Sequence, residues 1–483
     1  MYLSVRRYPG ETEHMKATQP TPAPTEPGGV PPLEHVSTFV RFVHHDMVGT
    51  GLLLVSSLIA LLVVNLGGAE WYHHFWETHF GFTLGDFAFD QTLHHWVNDG
   101  LMAMFFFVVG LEIKRELLAG ELASWRKAVL PAAAAVGGMI VPAAIYAGIN
   151  YGAGGSAGWG IPMATDIAFA AGCIAMLRKW VPSALIVFLV ALAIVDDLGA
   201  VTVIAVFYTG GIEFEPLVIG GMLIGLSAFL GRVGVRMMLP YALIGIVLWL
   251  AFLQSGVHAT IAGVLLAFTI PATARYQTHN FAGRVRQLVQ NFTHAEELWP
   301  QETKDIKEVM VNSRQQSLLR HMESEIQHVE APLQRIEHNL EPFAVFVIMP
   351  IFAFANAGVE LELEHLGALI REPVTVGIIA GLAIGKPLGV LLAAWLAVKV
   401  GLATLPAGVR WSQLLGVGML AGIGFTMSLF INELAFVGEG AEEFIAQGKI
   451  GIFLASFVSA IAGLLILKAT CNEVQDDANE AGH

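Results

Sequence analysis

The chain of 483 residues is 55% hydrophobic and only 14% charged, with a mean hydropathy of +0.63. That composition excludes a water-soluble globular protein of this length and implies an all-α polytopic membrane protein. The net charge of −14 argues against a nucleic-acid partner, and the two cysteines, Cys173 inside an apolar stretch and Cys471 near the end, offer no disulfide framework.

The first 33 residues are polar and rich in proline (QPTPAPTEP at 19–27), with no apolar core. They are not a signal peptide, and residues 1–44 are expected to be a disordered cytoplasmic tail. Twelve apolar spans follow, near 46–66, 95–112, 128–149, 160–177, 182–208, 215–231, 237–253, 256–272, 342–358, 374–398, 412–434 and 446–467. The chain thus divides into spans 1–8 (45–273), an enlarged inner segment (274–341), spans 9–12 (342–468) and a short tail (469–483). Positive charge is retained in the cytoplasm. With the N-terminus inside, Lys114, Arg115, Arg126, Lys127, Arg178, Lys179, Arg232, Arg236, Arg275, Lys399, Arg410 and Lys468 all fall at inner ends. Only Arg371 and Lys449 fall outside, and an even number of spans leaves both termini cytoplasmic.

Between the first two spans, FTLGDFAF (82–89) alternates apolar residues around a Gly-Asp pair, the pattern of a β-hairpin. In the inner segment, Leu319, Met322, Ile326, Val329, Leu333, Ile336 and Leu340 recur every three or four residues, an amphipathic helix weakened by Pro332. It is expected to lie on the membrane or on the inner face of the protein, in preference to forming a partner-binding coiled coil.

Charge inside the spans carries the functional signal. Asp196 and Asp197 sit side by side in ALAIVDDLGA (191–200), near the middle of an otherwise uncharged stretch. One charge at the bilayer centre costs roughly 2.5–3.5 kcal/mol on insertion scales, so two in a row require a functional reason. Lys386 is the single charge of the tenth span and Asp166 that of the fourth, both near the midpoint. Three carboxylates and one ammonium therefore share a depth where unpaired charge is expensive.

The fourth span, GIPMATDIAFAAG (160–172), carries Gly, Pro and a Thr-Asp pair at its centre, and the eleventh, GVGMLAGIGFTMS (416–428), is rich in glycine there. Two Gly-interrupted segments at corresponding positions of two halves point to inverted-topology repeats with broken helices, here spans 3–5 and 10–12. Asp166 can offset facing half-helix N-termini or ligate an ion directly. Lys386 can offset C-termini or pair with Asp196. Neighbouring helical residues point about 100° apart, so one carboxylate of the dyad can face a cavity while the other turns to a second helix. Desolvation and mutual repulsion both disfavour the charged carboxylates, so protons compete with a cation near neutral pH. Such a site suits exchange of protons for a hard cation, sodium or lithium, with Thr165 or freed carbonyls completing the oxygen shell.

The pairs His44-His45, His73-His74 and His94-His95 lack metal-ligand spacing. His258, near an outer helix end, can titrate near neutrality. Glu112, Lys114, Arg115 and Glu116 form a charged cluster at the inner end of the second span, either a solvated helix end or a pH-responsive network.

GLEIKREL (110–117), ATDIAFA (164–170), ALAIVDDLGA (191–200), SGVHAT (255–260), FAFANAG (352–358), GKPLG (385–389) and AGIGFTMS (421–428) resemble, in this order, the motifs of the NhaA family of sodium/proton antiporters. The resemblance covers nearly all of the membrane portion. It implies a transporter, not an enzyme, with twelve spans and two broken helices that cross near the bilayer midplane. It also implies a homodimer helped by the outer hairpin, a multi-pass location in the bacterial inner membrane, no cofactor, and electrogenic exchange of two protons entering per sodium or lithium leaving. Asp197 is then the main cation ligand, Asp196 the proton carrier paired with Lys386, and Asp166 and Thr165 lie at the crossing. Glu112, Lys114, Arg115, Glu116 and His258 are the expected pH-response residues. The Pro-rich tail and the enlarged segment 274–341 depart from the family pattern. Two other functions fit a membrane dyad: a passive cation channel, which Lys386 at the same depth disfavours, and an ion-coupled symporter of an organic anion on the same architecture.

Overall fold

A computed structural model describes residues 38–84, 87–273, 278–297, 317–321, 331–361 and 366–471. The described residues from Val43 onward form one structural unit. With no water in a bilayer core, long apolar runs satisfy their backbone groups as helices. The first run is α1 (Thr38–Val63) and α2 (Ala69–Glu77), kinked where Gly67 takes a left-handed φ of 93°. The hairpin strands β1 (His79–Leu84) and β2 (Phe87–Thr92) pair antiparallel, from His79 opposite Thr92 to Leu84 opposite Phe87. The Gly-Asp turn at 85–86 lies outside the described residues.

The chain continues through α3 (Leu93–Ala119), α4 (Trp125–Ile149), α5 (Gly154–Met163), α6 (Ile167–Met176), α7 (Ser183–Phe207) and α8 (Phe214–Val233). Two shorter apolar helices follow, α9 (Met238–Gln254) and α10 (Thr260–Thr269), and then the polar α11 (Thr278–Glu297). The C-terminal part comprises α12 (Pro332–Asn356), α13 (Pro373–Lys399), α14 (Trp411–Ala421), α15 (Phe425–Ala435) and α16 (Ala441–Thr470). Among the described residues, eight helical stretches are long and apolar enough to cross a membrane, and ten if the pairs α5/α6 and α14/α15 each count as one. The two pairs bend by 46° and 48° at their breaks.

Several boundaries differ from the sequence expectation. Helix α1 starts at Thr38, inside the expected tail, and residues 1–37 lie outside the described residues. The amphipathic stretch does not run as one helix through Pro332. Ala331 is extended, Pro332 opens α12, and buried Leu333 and Ile336 form the first turns of the ninth span. Proline is suited to that place because the first turn has no use for its missing N–H. Leu319 lies in a separate short helical stretch at 317–321, and Met322, Ile326 and Val329 lie outside the described residues, as do the tail residues 472–483.

Close backbone approach joins α4 to α13. A Cβ on Gly389 would stand 2.1 Å from the Gly137 carbonyl oxygen, and one on Gly137 would stand 2.3 Å from that of Gly389. Two side-chain-free surfaces let the helices touch, which brings the stem of Lys386 against Gly138. Just before Lys386, residues Ala380–Gly385 widen by one residue per turn, which accommodates the missing N–H of Pro387.

Candidate functional site

Four half-helix ends converge on the two breaks. After Met163 the chain runs extended through Ala164 to Asp166, which caps α6: its Oδ1 accepts the Phe169 N–H at 3.0 Å. Its Oδ2 accepts the Thr426 N–H at 3.1 Å and the Thr426 hydroxyl, in the first turn of α15. The Asp166 N–H in turn donates to the Ile423 carbonyl at 2.7 Å. One carboxylate thus faces the positive ends of two half-helices, where an anion is electrostatically favoured.

The complementary ends carry free carbonyls. Lys386 donates to the carbonyl of Met163, the last residue of α5, and its Nζ lies 2.6 Å from Asp196 Oδ2. Thr165 Oγ1 is 2.7 Å from the same Asp196 oxygen and 2.8 Å from the carbonyl of Ala421, the last residue of α14. The two readings of Lys386, dipole compensation and pairing with Asp196, are therefore one arrangement.

Helix α7 delivers the dyad. Asp196 and Asp197 are both buried, as are Asp166, Thr165 and Lys386. Among the described residues, Asp196 Oδ1 and Asp197 Oδ1 are sealed from solvent and have no hydrogen-bond partner. The geometry unites Asp196, Thr165, Lys386 and Asp166 around the crossing, with Asp197 next along α7. It offers a hard cation carboxylate oxygens and offers a proton the same atoms.

The inner cluster has a different composition from that expected. Arg115 Nε binds Glu337 of α12 at 2.9 Å, and its guanidinium lies 3.6 Å from Glu116 and 4.0 Å from Glu112. Lys114 turns away to the carbonyls of Phe268 and Ile270, at the C-terminal end of α10. His258 lies before the N-terminus of α10, about 15 Å away along that ten-residue helix, so it does not join the cluster.

Sequence reasoning overlooked Glu337, Thr426 and the carbonyls of Met163 and Ala421. Glu337 is flanked by the apolar Ile336 on the stripe already noticed, and Thr426 stands in the AGIGFTMS motif. Ser428, in the same motif, donates to the Ile161 carbonyl at 2.8 Å and sews α15 to α5.

A family model described as Na+/H+ antiporter 1 matches residues 40–467. A protein named Na(+)/H(+) antiporter NhaA 1 from Saccharophagus degradans is 46% identical over 432 residues, 89% of this chain and 91% of its own length. Proteins named Na(+)/H(+) antiporter NhaA from Acidithiobacillus ferrooxidans and Oleidesulfovibrio alaskensis are 45% and 46% identical, over 89% and 92% of this chain and 97% and 96% of their own lengths. The chain, a multi-pass membrane protein by its helices and a transporter by its relatives, belongs to the Na+/H+ antiporter 1 family.

Proposed function

We propose that the protein exports sodium, or lithium, in exchange for protons at the Asp196–Asp197 dyad. The observation that carries the reading is the asymmetry of the dyad: one oxygen of Asp196 is held by Lys386 and Thr165, while Asp197 has no ion pair among the described residues. Two adjacent carboxylates and one ammonium form a switch between occupants. Sodium needs both carboxylates free of protons, and its charge competes with Lys386 for Asp196. When two protons take the dyad, sodium is released and both carboxyls are neutral, so the proton-loaded site carries only the charge of Lys386 as it changes its exposure.

Two protons entering per sodium leaving move one net positive charge inward per cycle. The membrane potential then adds about 2.3 kcal/mol per 100 mV to sodium export. The two bent helix pairs support a pair of inverted repeats, α4 to α7 and α13 to α16. Counting α9, α10 and each pair as spans gives twelve, with both termini in the cytoplasm of a bacterial inner membrane. The paired strands of the outer hairpin support a homodimer contact, and the Arg115–Glu337 network at the inner end of α3 supports a pH response.

A channel would need a continuous pore past Lys386, whose ammonium is instead fully enclosed by Asp196 and Met163. No observation favours an organic-anion symporter. The test is flux in proteoliposomes. An imposed proton gradient must drive sodium uphill. Sodium flux indifferent to the proton gradient would overturn exchange in favour of a channel, and a requirement for an organic anion would overturn it in favour of a symporter.

A further inference from the structure

On the outward side of the crossing, by the charge-based orientation, three helices carry the same change of character. Along α15, Thr426 at the crossing is followed one turn on by Phe430 and after another by Glu433, all on one face. The Phe430 ring packs against Phe106 of α3 at 5.5 Å and Phe352 of α12 at 6.1 Å, and all three are sealed from solvent. One step farther out, the same helices turn polar. Asn356 of α12 donates to Asn98 of α3 at 2.8 Å and meets His94 at 3.1 Å. There Glu433 is bound to Lys449 of α16 at 3.0 Å.

Glu433 and Lys449 are 14% and 12% exposed, whereas Asp196 and Lys386 are fully enclosed. Among the described residues these are the two ion pairs with both partners less than 15% exposed. A dry aromatic layer thus separates the exchange site from a partly wetted, charged layer. Glu433 and Lys449 both lie within electrostatic range of His94, and Glu433 within range of Tyr72 on α2. Other titratable groups near this region include the pair His95–Asp99 at 2.8 Å on α3, His258 within electrostatic range of Asp99, and Glu443, which accepts from Gln447 at 3.4 Å on α16.

We propose that Glu433 and Lys449 line an outer vestibule and set the apparent affinity for the transported cation on that face alone. A lone carboxylate there would hold the departing sodium, and a lone ammonium would repel a returning one. Paired, they leave the mouth near zero net charge, which suits release of an exported cation. The inference rests on the exchange reading above and adds residues that touch neither the dyad nor the crossing.

The two charges act with opposite sign, and that is the test. Sodium KM is measured from each face, in right-side-out and inside-out vesicles, at one fixed alkaline pH that keeps His94 neutral. Glu433→Gln should raise the outer KM about twofold and Lys449→Gln should lower it by about as much, the effect in water of one unit charge about 10 Å away, the rise of the seven residues from Thr426 to Glu433. The inner KM should not move. The double variant Glu433→Gln/Lys449→Gln leaves no charge unpaired and should return the outer KM close to that of the parent, even if a single variant folds poorly. Shifts of the same sign, shifts on both faces, or a double variant as impaired as the singles would mean that the pair only fastens α15 to α16. Parent vesicles with no proton-coupled sodium flux would instead overturn the exchange reading.

Discussion

Lys386 and Asp196 meet at 2.6 Å from opposite halves of the body, α13 and α7, with both side chains fully enclosed. Among the described residues neither takes part in another ion pair, so each residue's burial depends on the other. Removing one partner of a buried pair typically costs about 3–5 kcal/mol, because the remaining charge stays desolvated. Lys386→Ala should therefore lower the melting temperature in detergent. Lys386→Ala/Asp196→Asn should recover part of the loss, since no lone charge remains. An unchanged melting temperature in the single variant would count against the pairing.

Asp197→Asn should abolish sodium-driven proton flux while leaving the melting temperature near that of the parent, because it removes an anionic ligand and keeps the shape. Asp196→Asn should be severely impaired as well. Near-normal flux from the Asp197 variant would remove this residue from the site.

Asp166 caps α6 and also accepts from the first turn of α15. Each lost cap costs roughly 0.5–2 kcal/mol. Asp166→Ala should lose both and destabilise more than Thr426→Val, which deletes one hydroxyl donor but keeps the backbone N–H. Thermal unfolding of the two variants side by side measures the difference, and equal stability would show that the crossing does not depend on the carboxylate.

Gly389 and Gly137 leave no space between α13 and α4. A Cβ at Gly389 would stand 2.1 Å from a carbonyl oxygen, so Gly389→Ala must push the helices apart. Overpacking of this kind costs about 1–3 kcal/mol. Loss of transport together with a lower melting temperature is expected, since Lys386 lies one turn away on the same helix. Full activity would mean that the pair tolerates the displacement.

Protons and sodium share the dyad, so transport should slow on the acid side. Each tenfold rise in proton concentration should raise the apparent sodium KM by up to tenfold per competing proton. Pure competition predicts that saturating sodium restores the maximal rate at acid pH. A separate sensor at Arg115, Glu116 and Glu337 would leave a deficit that sodium does not cure and that Glu337→Gln alters. Initial rates against sodium at several pH values separate the two, and a KM independent of pH would rule out the shared site.

Membrane residence, most of the long apolar helices and the four charges buried within them were legible in the sequence because a bilayer penalises charge so heavily that each exception stands out against an apolar run. Gly, Pro and Thr-Asp at the centre of the fourth span and glycine at that of the eleventh likewise announced the breaks, since those residues weaken local helical bonding. What sequence could not reveal is which group meets which across the fold. That Lys386 reaches both Asp196 and the end of α5, that Asp166 caps two helices, and that Arg115 bonds to Glu337 and not mainly to its neighbours on α3 all join residues distant along the chain. Periodicity reports only a residue's own helix. The carbonyls of Met163 and Ala421 are invisible to any motif, since every residue has one, and only where the helix stops does it become free. Burial and helix breaking are decided by local chemistry and can be read along the chain, whereas pairing is decided by the packing of α4 on α13 and of one break on the other, which exists only in the folded protein.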